Sequence, residues 1–176
     1  MHGGDEEVPV VVEQVLAPVT YPLRREVLRP HLSAADPWNA VAFPGDDAAT
    51  AAHFAAYALP GAPDAGLVVG VVAVLTEPTQ DEREAWRLRG MAVAPAWRGA
   101  GVGAALTRRL VEHVARLAPP EGALLWCLAR EVAVAFYERS GFAPDGGWQD
   151  VPQIGAHLPM SQLVQPWLRT QAEQPD

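Results

Sequence analysis

No lysine occurs in this chain: all thirteen basic residues are arginine, set against twenty-one aspartates and glutamates for a formal net charge of −8. That balance argues against a general nucleic-acid binder, because neutralising a phosphate backbone needs a basic face. The missing lysine itself is read as base composition of the coding sequence rather than as chemistry. The single cysteine, Cys127, has no partner for an intramolecular disulfide and gives no reason to place the chain in an oxidising compartment. No apolar run approaches the roughly 18 residues of a membrane span, and Asp5, Glu6 and Glu7 stand where a secretory leader would be positive. A cytoplasmic protein is expected, with no membrane and no nucleic acid among its partners. The five histidines lack metal-ligand spacing such as HExxH, so no metal is expected.

What is present is globular composition, 49% hydrophobic and 19% charged residues over 176 positions. One core with peripheral segments fits that length, giving a single domain over residues 1–170 and a polar tail, 171–176, expected to be disordered. Val8 to Leu16 reads as a strand, with Pro9 marking an edge. Thr20 is the expected cap of a helix whose first turn holds Pro22 and which Pro30 ends. A long loop follows from His31 to Asp47. Ala49–Leu59 could be a strand or a short helix, which its alanines favour, but the turn Pro60–Asp64 and the run Leu67–Leu75 make both segments read as strands of an antiparallel hairpin. Glu77 and Glu84 read as solvated charges of the next loop. Trp86–Val93 is the next strand, with Trp86, Leu88 and Gly90 alternating against Arg87, Arg89 and Met91.

Val102, Leu106, Leu110, Val114 and Leu117 then recur at helical spacing, directly behind the turn Arg98-Gly99-Ala100-Gly101-Val102-Gly103. Ala123–Leu128 is a short apolar strand, Glu131–Ser140 a helix closed by Gly141, and Phe142–Val164 has the length of a terminal hairpin. Strand, glycine turn and helix form an arrangement in which unpaired N–H groups converge on an anion. A P-loop would need Lys and Ser/Thr where Ala104 and Ala105 stand. A dinucleotide fingerprint would need a differently spaced third glycine and an acid ending the next strand, which instead ends at Leu128. A glycine turn with no ligand is the plain structural alternative.

The segment Arg87 to Leu106 resembles the acetyl-CoA-binding motif of the GCN5-related N-acetyltransferases (GNAT), with Arg98 to Gly103 as its Arg/Gln-x-x-Gly-x-Gly/Ala core. The run Ala133 to Phe142 resembles that family's second motif, at the expected distance. The resemblance implies an α/β (α+β) fold, a mixed and mostly antiparallel central sheet flanked by helices. It implies an acetyl-CoA-dependent N-acetyltransferase acting by direct attack of an amine on the thioester. The acceptor would be a small molecule or a peptide, and a homodimer is compatible with either. Pyrophosphate would be held by the amides of Arg98, Gly99, Ala100, Gly101, Val102, Gly103 and Ala104. The pantetheine arm would pair with the strand at Met91, Ala92 and Val93. Tyr137 falls where many members carry a tyrosine near the sulfur, and a neutral phenol can protonate a departing thiolate; a half-buried helical tyrosine is the plain alternative. Leu128 departs from a position that is often Asn, which implies either weaker cofactor binding or a bond supplied by Arg130 instead. For the general base, His53, His157 or a water remain open, and Cys127 reads as a buried small residue. A catalytically silent acyl-CoA-binding module on the same fold is the alternative, with Leu128 as its support.

Overall fold

The computed structural model describes residues 8–33, 35, 41–152 and 154–167; the expected tail and Pro37 of the long loop lie outside them. Eight strands among these residues form a mixed sheet flanked by helices, in the order β1-β2-β3-β4-β5-β8-β6 with β7 also on β8. By internal contacts the chain divides into two compact units, residues 1–75 with 88–110 and residues 76–87 with 111–176.

In the first unit β1 (Val10–Val15) pairs antiparallel with β2 (Ala52–Ala58), from Val10↔Ala58 to Val15↔His53. β2 pairs antiparallel with β3 (Val68–Thr76), and a register shift falls between Ala56 and Tyr57. β3 is buried continuously from Val69 to Leu75, as an apolar run without alternation requires when both faces are covered. Helix α1 (Ala17–Leu28) lays Leu23 against Ala55, Val71 and Ala92, with Val27 and Leu28 beside them. Its start differs from expectation. Leu16 is the N-cap, Pro18 occupies the first turn, and Thr20 lies inside the helix with its hydroxyl donating to the Ala17 carbonyl at 2.7 Å. Pro22 is likewise interior. Its missing N–H forgoes one bond to the carbonyl four residues back, and burial of the Leu23 face offsets that loss.

Helix α2 (Val102–Leu117) follows β4 (Trp86–Val93) and buries Val102, Leu106 and Leu110 in this unit. Gly70 sets how closely it approaches. A Cβ at Gly70 would fall 2.6 Å from Val102 Cγ1 and 2.9 Å from Leu106 Cδ1.

In the second unit β5 (Ala123–Arg130) pairs antiparallel with β8 (Gly155–Val164) along its whole length, Ala123↔Val164 to Arg130↔His157. The start of β4 runs parallel to β5 at Trp86↔Leu125 and Arg87↔Trp126. Short strands β6 (Ala143–Pro144) and β7 (Gln149–Val151) pair with successive parts of β8. The helix expected from Glu131 opens as a 3-10 turn, Glu131–Ala133, and becomes helix α3 at Val134–Arg139. It closes as foreseen at Gly141, φ +92°: the amide of Gly141 bonds the Glu138 carbonyl and that of Phe142 the Tyr137 carbonyl. This double bond pattern ties off the orphan carbonyls of the last turn.

Candidate functional site

In the first unit the chain leaves β4 through Ala94, whose amide bonds the Val69 carbonyl at 2.9 Å, and makes a 3-10 turn at Pro95–Trp97. Trp97 is buried, and its indole N–H donates to Asp64 Oδ2 at 3.0 Å. That anchor, which the sequence did not reveal, fixes the start of the glycine turn. Gly99 and Gly101 take φ +78° and +82°, values that side-chain-bearing residues rarely adopt. The amides of Arg98 and Ala100 bond the carbonyls of Pro95 and Trp97, and that of Ala105 bonds Gly101. Val102, Gly103 and Ala104 open helix α2, where no intrahelical acceptor exists for an N–H. The first turn holds no acidic side chain, and Arg98, Gly99, Ala100 and Ala104 are exposed. An accessible helix start whose first N–H groups lack intrahelical acceptors, and whose own first turn holds no acid, can hold an anion.

Gly90 interrupts β4 with φ +65°. Before it, Arg89 faces Asp46, 3.5 Å away, on the side of α1; after it, Ala92 packs against Leu23 of α1. An odd and an even residue on one face mean that a bulge has reversed the alternation. Met91 therefore does not share the face of Arg89, as period two alone suggested.

A buried polar cluster adjoins this bulge. Arg24 of α1 is fully buried and meets Asp46 at 2.5 Å, while its second terminal nitrogen lies 3.4 Å from His53 Nδ1. His53 Nε2 is 2.9 Å from the Asp46 carbonyl, so that nitrogen donates and Nδ1 accepts. Both ring nitrogens of this candidate base are thus engaged inside the cluster. Burial, above all, pushes the His53 pKa below its ordinary 6.5, with Arg24 and Arg89 adding to it against the raising effect of Asp46. Burial alone would raise the Asp46 carboxyl; hydrogen bonds from Arg24 and the Phe43 amide, with the Arg24 charge, outweigh it and hold the group below 3.8.

The sign of the pH dependence follows. Below about pH 6.5 the unfolded chain protonates this histidine and the folded chain resists, so stability falls with pH and falls further as Asp46 is protonated. The unfolding midpoint is expected to drop between about pH 7.5 and about pH 5, and His53→Gln to flatten that drop. An unchanged slope in calorimetric scans of the variant would refute the assignment.

In the second unit Tyr137 on α3 is 6% exposed, wedged edge-on between Phe136 and Phe142 at centroid distances of 5.1 and 5.4 Å. Burial, and secondarily the nearby Cys127, push its phenol well above 10, so at neutral pH it is a proton donor. Burial likewise pushes Cys127 up to about 12, which keeps it a thiol and bears out its reading as a small buried residue. Leu128 lies opposite Pro159 in the ladder, and Arg130 opposite His157. His157 is buried with Nδ1 2.8 Å from the Gly155 carbonyl, so Nδ1 donates to that oxygen. Glu77, expected as a solvated charge, keeps a third of its side chain exposed and is ion-paired. Its carboxylate meets Arg87 at 2.5 Å, Arg87 lies 4.7 Å over the Trp126 ring, and the indole N–H donates to the Glu77 carbonyl at 2.9 Å.

A pocket of about 390 Å³ opens in this unit over Trp126 and Met160. Its rim is internally bonded, Arg83 to Asp81 and Asp145, and Gln80 to Gln149. Among the described residues no group of three or more His, Cys, Asp or Glu could hold a metal, and no helix is long and apolar enough to cross a membrane.

Comparison with known proteins places these features in a family. The Acetyltransferase (GNAT) domain family matches residues 52–144. The uncharacterized N-acetyltransferase YitI of Bacillus subtilis (strain 168) is 30% identical over 142 residues, covering 80% of this chain and 87% of that protein. The crystal structure of Escherichia coli ElaA superposes with a TM-score of 0.65 at 17% identity, covering 87% of this chain and 99% of that one. An acyl-CoA N-acyltransferase from Pseudomonas aeruginosa gives 0.62 at 19% identity, with 87% and 99% covered. The fold is shared with both structures, and by its domain match and its curated relative the chain belongs to the GNAT family of N-acetyltransferases.

Proposed function

We propose that the protein transfers an acetyl group from acetyl-CoA to the amine of a small molecule or peptide in the cytoplasm. The observation that carries this reading is the start of α2: a glycine turn exposed at Arg98, Gly99 and Ala100, amides without intrahelical acceptors, and no acid in the first turn. The backbone from Arg98 to Ala104 would receive the pyrophosphate, with Val102, Gly103 and Ala104 as donors and Arg98 and Ala100 shaping the turn. The peptide groups of Met91, Ala92 and Val93, beyond the bulge, would receive the pantetheine arm. Acetyl-CoA supplies the activated thioester.

Tyr137 holds its proton at neutral pH and would deliver it to the departing sulfur. On the acceptor side, His53 is engaged in its buried cluster, which leaves Nε2 of His157 or a water to take the amine proton. A silent acyl-CoA-binding module rests on Leu128 alone, and the neutral Tyr137 counts against it.

Competition for a fluorescent CoA ligand tests the reading. Acetyl-CoA, dephospho-CoA and acetyl-pantetheine are expected to bind progressively less well, as phosphates are removed. Acetyl-pantetheine binding as tightly as acetyl-CoA would refute the role of the turn.

A further inference from the structure

A fully buried guanidinium is costly, and replacing a buried ion pair by well-packed apolar groups is often neutral or stabilising. Stability therefore does not account for Arg24. What the pair supplies is direction, because a planar fork fixes the groups it bonds. Arg24 reaches the 41–46 segment through the Val41 carbonyl at 3.4 Å and both Asp46 oxygens, and Asp46 accepts in turn from the Phe43 amide at 2.8 Å. The guanidinium stacks 4.4 Å from the Phe43 ring centroid.

The other side of this assembly meets Gly90. A Cβ there would lie 3.0 Å from Arg24 Nε, 3.0 Å from Phe43 Cε2 and 3.3 Å from the second terminal nitrogen of Arg24. Arg24 Nε itself is buried with no hydrogen-bond partner among the described residues. The guanidinium thus fills the space that a side chain at position 90 would take, at the residue whose φ of +65° reverses β4. A bulge is otherwise free to relax toward regular pleating, which would turn the following peptide groups over.

We propose that Arg24, locked by Asp46, is a positioning residue that holds the Gly90 bulge and so aims the peptide groups of Met91 and Val93. The inference rests on the acyl-CoA reading, since those peptide groups would receive the pantetheine arm. It separates the two halves of the ligand. The glycine turn would bind the nucleotide half without Arg24, and the strand would bind the pantetheine half only with it.

The test titrates the full chain with CoA and with adenosine 3′-phosphate 5′-diphosphate, which keeps the phosphates and lacks pantetheine. Arg24→Met is expected to weaken CoA binding by roughly tenfold or more and to leave the nucleotide within about twofold, because misplaced positioning groups act only on what they position. Arg24→Lys, which keeps the charge and loses the fork, should show the same split. Should Arg24→Met not fold, Arg24→Met/Asp46→Asn removes the stranded carboxylate and is read by the same ratio. Gly90→Ala, which presses a methyl on Arg24, is expected to shift the ratio in the same direction. An equal loss for both ligands, or no loss for either, overturns the inference alone. A wild-type chain that binds neither overturns the proposed function and this inference with it.

Discussion

Ala104→Asp is expected to abolish CoA binding while leaving the unfolding midpoint unchanged or slightly raised. The residue is exposed and third in α2, whose first turn holds no acid. A carboxylate there complements the helix dipole and is worth about 0.3–1 kcal/mol to the fold. The same charge sits beside the amides of Val102 and Gly103, where the pyrophosphate would lie. Two like charges about 4 Å apart repel by about 4 kcal/mol at an effective dielectric near 20. At about 1.4 kcal/mol per decade, that is nearly a thousandfold in affinity.

Fold and ligand thus respond with opposite signs, which a merely damaging substitution cannot imitate. Gly101→Asp would be a poorer test, since φ is +82° there and a Cβ would meet Val8 Cγ2 at 2.8 Å. Calorimetric titration of Ala104→Asp, with Ala104→Asn as the neutral control, settles the matter. Normal CoA affinity in the aspartate variant would remove the anion from this turn.

The fold was legible wherever one chemical pattern dominated a segment. β4 runs Trp86–Val93 and α2 Val102–Leu117, the bounds that the apolar spacing and the flanking prolines indicate. The start of α1 misled because three signals compete within six residues. Thr20 and Pro22 are good first-turn residues, but Pro18 is as well, and only tertiary burial of the Leu23 face decides among them. The alternation of β4 misled for a different reason. A glycine has no side chain to betray which face it occupies, so a bulge at Gly90 leaves no trace in the hydrophobic pattern.

The glycine turn was legible because it is local, six consecutive residues whose conformation is set by their own backbone preferences. The cluster around Arg24 was not, since Asp46 and His53 lie 22 and 29 residues away in sequence. His53 looked like a candidate base because a lone histidine carries no sign of whether its nitrogens are engaged. The pairing of Glu77 was hidden because its partners, Arg87 and Trp126, come from a different strand or a distant part of the chain. Pairings of this kind depend on topology, and nothing in the spacing of charged residues announces them.

Tyr137→Phe is expected to lower kcat by about 10²- to 10⁴-fold, the usual range for a general acid, with little change in the KM for acetyl-CoA. The substitution removes one hydroxyl and keeps the ring, so the edge-on contacts with Phe136 and Phe142 survive and α3 keeps its seat. Because burial raises the phenol above its ordinary value, the donor stays protonated across the neutral range, and the wild-type rate should show no loss attributable to phenol ionisation as pH rises toward about 9. A residue that merely packs predicts the reverse outcome, an unchanged rate after loss of the hydroxyl. Steady-state turnover can hide a chemical effect behind product release, so single-turnover rates must accompany it. A variant with the wild-type single-turnover rate would take Tyr137 out of the mechanism, leaving water, or the low basicity of the thiolate itself, to explain departure of the sulfur.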